Sequence, residues 1–199
     1  MPGGNAVTGI DVPEPYKGYG HLATRSSILT EPIADPTRSL EYTAFAYGAP
    51  TPLFIQPSSK TNLALAPYLL NDPLATPKIS ASYSGSKVTS FDAESIVSGC
   101  YAAAQNGILA PAISCTIRYT GTKAVTGEEV IFDAAFEVTT LNLLGIAIGP
   151  QTVQKKSFPK QFRGITSLKP RVLTAALPAG ALTAQMAFDD FVYTAYTRQ

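Results

Sequence analysis

Ile113-Ser-Cys-Thr-Ile-Arg-Tyr119 places apolar side chains at odd positions and polar ones at even positions, the period of two required of a strand buried on one face. Beyond it, Thr120-Gly-Thr-Lys-Ala-Val-Thr-Gly127 supplies a turn. Val130, Phe132, Ala134, Phe136 and Val138 then alternate with Glu129, Asp133 and Glu137, the cleanest strand pattern in the chain. Cys115 falls on the buried face of the first strand, and together the two runs point to an all-β fold.

Working outward supports that class. Lys78-Ile-Ser-Ala-Ser-Tyr83 alternates, and Gly85-Ser-Lys87 is a turn into a strand from Val88 to Tyr101. Leu40 to Tyr47 is aromatic-rich and reads as one strand, broken by Gly48-Ala-Pro-Thr-Pro52. Pro57, Pro67, Pro73 and Pro77 leave room only for short pieces between Leu53 and Pro77. Asn142 to Ile148 reads as a strand or one helical turn, ended by Gly149-Pro150, and Leu182 to Tyr196 as the final strand. With 16 Pro and 15 Gly spread along 199 residues, long helices have little room, because Pro removes an amide donor and clashes with the preceding turn. Residues 1–40, rich in Gly, Pro, Ser and Thr, are expected to form an extended arm wrapping a single domain over residues 41–199.

Composition excludes several function classes. Charged residues are 15% of the chain, 15 Lys and Arg face 14 Asp and Glu, and the net charge is +1, too weak a field to drive counterion release from a nucleic acid. The longest oily stretch, Leu143 to Ile148, falls far short of the roughly 18 apolar residues of a membrane-spanning helix, so no membrane is expected as a partner. Six bases lie between Lys155 and Arg171 without an acid. They read as a patch for an anion or as a solvated strand and loop face, and interleaved Phe158, Phe162 and Ile165 favour the second.

The opening Met1-Pro-Gly-Gly-Asn-Ala-Val7 has neither the basic nor the apolar segment of a leader. Cys100 and Cys115 enclose a segment that reads as a loop between strands. A disulfide there would stabilise the fold by about 3 kcal/mol; two buried free thiols are the other reading. Two Cys with the single His21 do not supply four zinc ligands.

Five short motifs occur in order: Val12-Pro-Glu-Pro-Tyr-Lys-Gly18, Ser90-Phe-Asp-Ala-Glu-Ser-Ile-Val-Ser-Gly-Cys100, Ser114-Cys-Thr-Ile-Arg-Tyr-Thr-Gly-Thr-Lys123, Phe162-Arg-Gly-Ile-Thr-Ser167 and Phe188-Asp-Asp-Phe-Val-Tyr193. The set resembles a mostly uncharacterised group of small secreted fungal proteins with a galactose-binding-like jelly-roll β-sandwich. The chain departs from that pattern where a closing Asp-Asn is Asp189-Asp190 and where Gly20-His-Leu-Ala-Thr24 replaces an aromatic-rich stretch. The resemblance implies two antiparallel sheets in a jelly roll, a Cys100 to Cys115 disulfide and a secreted or lumenal protein whose leader is absent here. It implies no reaction, because one sandwich hosts many functions.

Candidate chemistry is sparse. A triad needs a base, and His21 sits in the Gly-flanked arm, where a surface or packed role is the commoner one. Asp189, Asp190, Asp92 and Glu94 are the acids from which a carboxylate pair would have to come. Strict alternation puts Asp190 on the face of Phe188 and Asp189 on that of Phe191, so one carboxylate is on the apolar side and must be satisfied. A structural Ca²⁺ is one solution; pairing with Arg163 or Arg118 is another, and is preferred. No other cofactor is expected. Tyr16, Tyr19, Tyr47, Tyr68 and Tyr101, in loops or at strand ends, are the aromatic candidates for stacking a sugar, with Asp189 and Asp190 beside them.

The expectation is a noncatalytic secreted binding module that takes a carbohydrate or another small ligand at the loop end of the sandwich. The alternative is a cofactor-independent isomerase or cyclase of fungal secondary metabolism, holding a hydrophobic metabolite in an apolar pocket. A homodimer whose apolar surface is an interface is a third reading.

Overall fold

The computed structural model describes residues 40–43, 46–48, 55–56, 63–66, 77–83, 86–103, 111–139, 151–177 and 183–197. The expected arm, apart from Leu40, and the expected element at Asn142 to Ile148 lie outside them. The described chain is all-β, with one 3₁₀ turn at Lys160–Phe162. Its strands are β1 (Glu41–Thr43), β2 (Ala46–Gly48), β3 (Ile55–Gln56), β4 (Leu63–Ala66), β5 (Lys78–Ser80), β6 (Val88–Ala103), β7 (Cys115–Lys123), β8 (Glu129–Phe136), β9 (Gln151–Thr152), β10 (Gln154–Ser157), β11 (Ile165–Ala175) and β12 (Thr183–Thr197).

Pairing is antiparallel throughout except between β3 and β9, which form a separate parallel pair. The remaining strands form two runs, β8-β7-β11-β5-β1 and β10-β6-β12-β4-β2, joined by one backbone pairing, Ile165 with Phe91. The alternation read in the sequence survives intact in the first run: Cys115, Ile117 and Tyr119 are buried, while Thr116, Arg118 and Thr120 between them are half-buried. β7 continues through the expected turn as far as Lys123, and the reversal itself is Ala124 to Thr126. Gly127 follows with φ of 70°, a left-handed conformation open to glycine without steric cost.

Leu40 to Tyr47 does not form one strand. β1 pairs with β5 and β2 with β4, so the segment contributes to both runs. Local propensity cannot reveal such a split, because the two halves are chosen by partners far away in sequence.

Side chains tie the two runs together where backbone does not. Cys100 on β6 and Cys115 on β7 form a disulfide with their Cα atoms 6.2 Å apart. Tyr119 donates its hydroxyl hydrogen to Ser98 Oγ at 2.9 Å. The Phe136 ring lies so close to Gly99 that a Cβ there would meet it at 3.1 Å. Phe91, Tyr119, Phe132, Phe158, Phe162, Phe191 and Tyr193 form a continuous aromatic cluster with ring centroids 5.1 to 6.3 Å apart, mostly edge to face. Within the basic stretch, Phe158, Phe162 and Ile165 are buried while Lys155, Lys160, Arg163 and Arg171 are exposed, as a solvated strand and loop face requires.

β6 and β12 carry a matched pair of bulges. Going inward from Thr194 opposite Asp92, the register slips at Glu94, so that Val192 opposes Ser95. It slips back across Asp190, so that Asp189 opposes Val97 and Phe188 opposes Ser98, continuing the original register. Asp190 has φ of 38°. The bulge corrects strict alternation: Phe188 and Phe191, on opposite faces by parity, are both buried. C-terminal to Asp190 β12 alternates, with Phe191, Tyr193 and Ala195 buried and Val192, Thr194 and Tyr196 half-buried. N-terminal to Asp190, Met186 to Asp189 are buried without a break, as are Ser95 to Cys100 beyond Glu94 on β6.

Candidate functional site

On the alternating half of the β6–β12 pair, Asp92 and Glu94 are set two residues apart on the face turned away from buried Phe91 and Ala93. β12 brings Thr194 and Tyr196 beside them: Thr194 Oγ1 donates to Glu94 Oε1 at 2.7 Å, and the Tyr196 hydroxyl donates to Asp92 Oδ2 at 2.9 Å. The other Asp92 oxygen accepts from the backbone N–H of Gly164 at 2.7 Å. Gly164 has φ of 62°, and its carbonyl accepts from Ala124 N–H at 2.9 Å, so Asp92 is fixed to the loop end of the two runs. Lys123 Nζ donates to Arg163 O there at 2.7 Å.

The arrangement is a half-open set of two carboxylates and two hydroxyls held by neighbouring strands. Partial burial and then the Asp92 carboxylate raise the Tyr196 phenol above its ordinary pKa, while Arg163 opposes the rise. At neutral pH the phenol keeps its proton and donates a hydrogen bond to the Asp92 carboxylate. Such a cluster offers acceptors and hydroxyls in fixed directions, the chemistry that recognises a polyol. Asp92 and Glu94 were legible only as acids of a strand; the pairing with Thr194 and Tyr196 depends on register across a hundred residues.

The other sequence candidates are elsewhere. Tyr101, near the far end of β6, is half-buried, and its hydroxyl donates to Gln185 Oε1 on the neighbouring strand. Burial pushes its pKa up. Asp189 is 3% exposed and accepts from Asp190 N–H at 3.0 Å. Arg118 does not pair with either aspartate of β12. Its guanidinium makes a bidentate contact with Asp133 across β7 and β8, at 2.8 and 2.7 Å, an ion pair fixed by register since the two residues are direct cross-strand partners. Tyr47 belongs to β2, and only its backbone position is described. Tyr16, Tyr19, His21 and Tyr68 lie outside the described residues. Among the described residues no three His, Cys, Asp or Glu side chains come together as a metal-holding group, and no helix is long and apolar enough to cross a membrane.

Compared with protein-family models, with curated proteins and with solved structures, the chain matches none.

Proposed function

We propose that the two strand runs pack face to face as a jelly-roll-like β-sandwich, and that the protein is an exported, noncatalytic binding module for a carbohydrate or another small polar ligand. The fold reading is supported by the disulfide, the Tyr119 to Ser98 hydrogen bond and the aromatic cluster, all of which span the two runs. The buried disulfide accords with an oxidising compartment.

The observation that carries the functional reading is the Asp92, Glu94, Thr194 and Tyr196 cluster at the loop end. Carboxylates that already accept from neighbouring hydroxyls exchange those bonds for the hydroxyls of a sugar with little reorganisation, so the site is prepared for its ligand. An isomerase or cyclase would need an enclosed apolar pocket. The rings between the runs are in mutual contact, which favours the binding module.

A glycan array followed by calorimetry on the leading ligand tests the reading. Asp92→Asn and Tyr196→Phe are expected to weaken binding by about tenfold each, the loss of one charge-assisted hydrogen bond. Binding that survives both substitutions would remove the cluster from the site, and absence of any glycan or polyol ligand would overturn the carbohydrate reading.

A further inference from the structure

The outer face of β8, β7 and β11 is segregated by charge. Cross-strand partners set Arg171, Arg118 and Asp133 in one row and Lys169, Thr120 and Ile131 in the next, with Glu129 further along β8. All belong to the face opposite buried Ile117 and Tyr119. Acids therefore line the β8 column, bases line the β11 column, and the two columns are about 10 Å apart, two strand spacings. Arg118 is matched by Asp133, but among the described residues Lys169, Arg171 and Glu129 meet no opposite charge. Each column also has an exposed apolar side chain, Ile131 at 48% on β8 and Leu173 at 43% on β11.

We propose that this face docks a second copy of the same chain about a two-fold axis parallel to β7. That rotation keeps each row over itself and exchanges the outer columns, so Asp133 of each copy lies over Arg171 of the other, Glu129 comes one row from Lys169, and the two Arg118 side chains, each paired with its own Asp133, meet at the axis. A polyanion or polycation would find repulsion on one column; a second copy finds attraction on both. Continuation of the sheet edge to edge is hindered, because Gln161 Nε2 donates to Ile131 O of β8 at 3.2 Å and Gln154 Nε2 to Glu137 O, just past the end of β8, at 2.8 Å. The face offers about 350 Å² per copy, less than half of the roughly 800 Å² of a standard interface. The dimer is accordingly concentration-dependent and salt-sensitive.

Sedimentation velocity on the full chain, from micromolar to millimolar concentration, tests this. Dimerisation at low salt that weakens at least about tenfold at 0.5 M salt is the expected result. Lys169→Glu/Arg171→Glu and, separately, Glu129→Lys/Asp133→Lys are each expected to stay monomeric, and their equimolar mixture to form the heterodimer. A wild type monomeric at millimolar concentration, or a mixture of folded variants that fails to associate, would overturn the proposal. This surface is distinct from the Asp92 cluster, so ligand binding by the charge-reversed variants reports on the two readings separately.

Discussion

The Tyr119 hydroxyl donates to Ser98 Oγ at 2.9 Å, joining β7 to β6, two strands that share no ladder. Among the described residues the Tyr193 hydroxyl, also enclosed, has no hydrogen bond of good geometry, only a poorly aligned approach to the Leu40 backbone. The two tyrosines therefore respond oppositely to loss of the oxygen. Tyr119→Phe strands a buried Ser98 hydroxyl and is expected to cost about 1 to 2 kcal/mol, while Tyr193→Phe removes an unsatisfied group and is expected to be neutral or stabilising. Urea unfolding of the two variants checks the pair, and equal destabilisation by both would contradict the assignment.

Alkaline pH acts through the same buried phenols. Burial raises the pKa of Tyr101 and Tyr119 above the ordinary 10.0 and pushes Tyr193 up to about 12. A phenol whose folded pKa exceeds its unfolded value contributes stability that is complete below the unfolded pKa and is lost as pH rises toward the folded one. Stability is thus expected to decline above about pH 10. Absorbance at 295 nm is the measurement: these three tyrosines should ionise together with unfolding, and independent titration near pH 10 would show that they are not enclosed.

Acid acts in the opposite direction through Asp133, whose carboxyl is held below its ordinary pKa chiefly by the hydrogen bonds from Arg118. That contribution is present above the unfolded pKa and is lost as pH falls through the folded one. Asp133→Asn should therefore flatten the stability profile below about pH 4 and leave it unchanged in shape at alkaline pH. A chemical-denaturation series across the acid range settles it.

Removing the staple is the largest single change expected. Cys100→Ala/Cys115→Ala should lose about 3 kcal/mol, through the freedom regained by the unfolded chain. Thiol titration of the wild type in denaturant without reductant should find none, and two reactive thiols would refute the bond.

Asp190 tests the bulge. At φ of 38° a β-branched side chain clashes with its own backbone, so Asp190→Val is expected to cost more than about 2 kcal/mol, whereas Asp190→Gly should be tolerated far better. Equal stability of the two variants would mean that β12 runs straight through this point.

Much of the fold was readable from short windows. The alternation of Ile113 to Tyr119 and of Val130 to Val138 placed β7 and β8, and it put Cys115 indoors, because period two is a property of the backbone pleat and needs no partner to be seen. The final strand was placed within a residue or so at either end, and its mid-strand acids marked a conflict between alternation and the two flanking phenylalanines. What lay beyond the sequence was the resolution of that conflict. A bulge on β12 is affordable only because a complementary bulge at Glu94 on β6 restores the register. Neither strand advertises the other, since the compensation acts between residues about a hundred positions apart.

The amino-acid sequence by itself determined an all-β chain with low charge, its best strands and the buried placement of Cys115, since these follow from local periodicity and composition. Only the tertiary structure decided that Leu40 to Tyr47 splits between two strand runs, that Arg118 joins Asp133 rather than an aspartate of β12, and that Asp92 and Glu94 meet Tyr196 and Thr194. Each is a choice among distant partners of similar local preference, and strand register across the assembled sheet makes that choice.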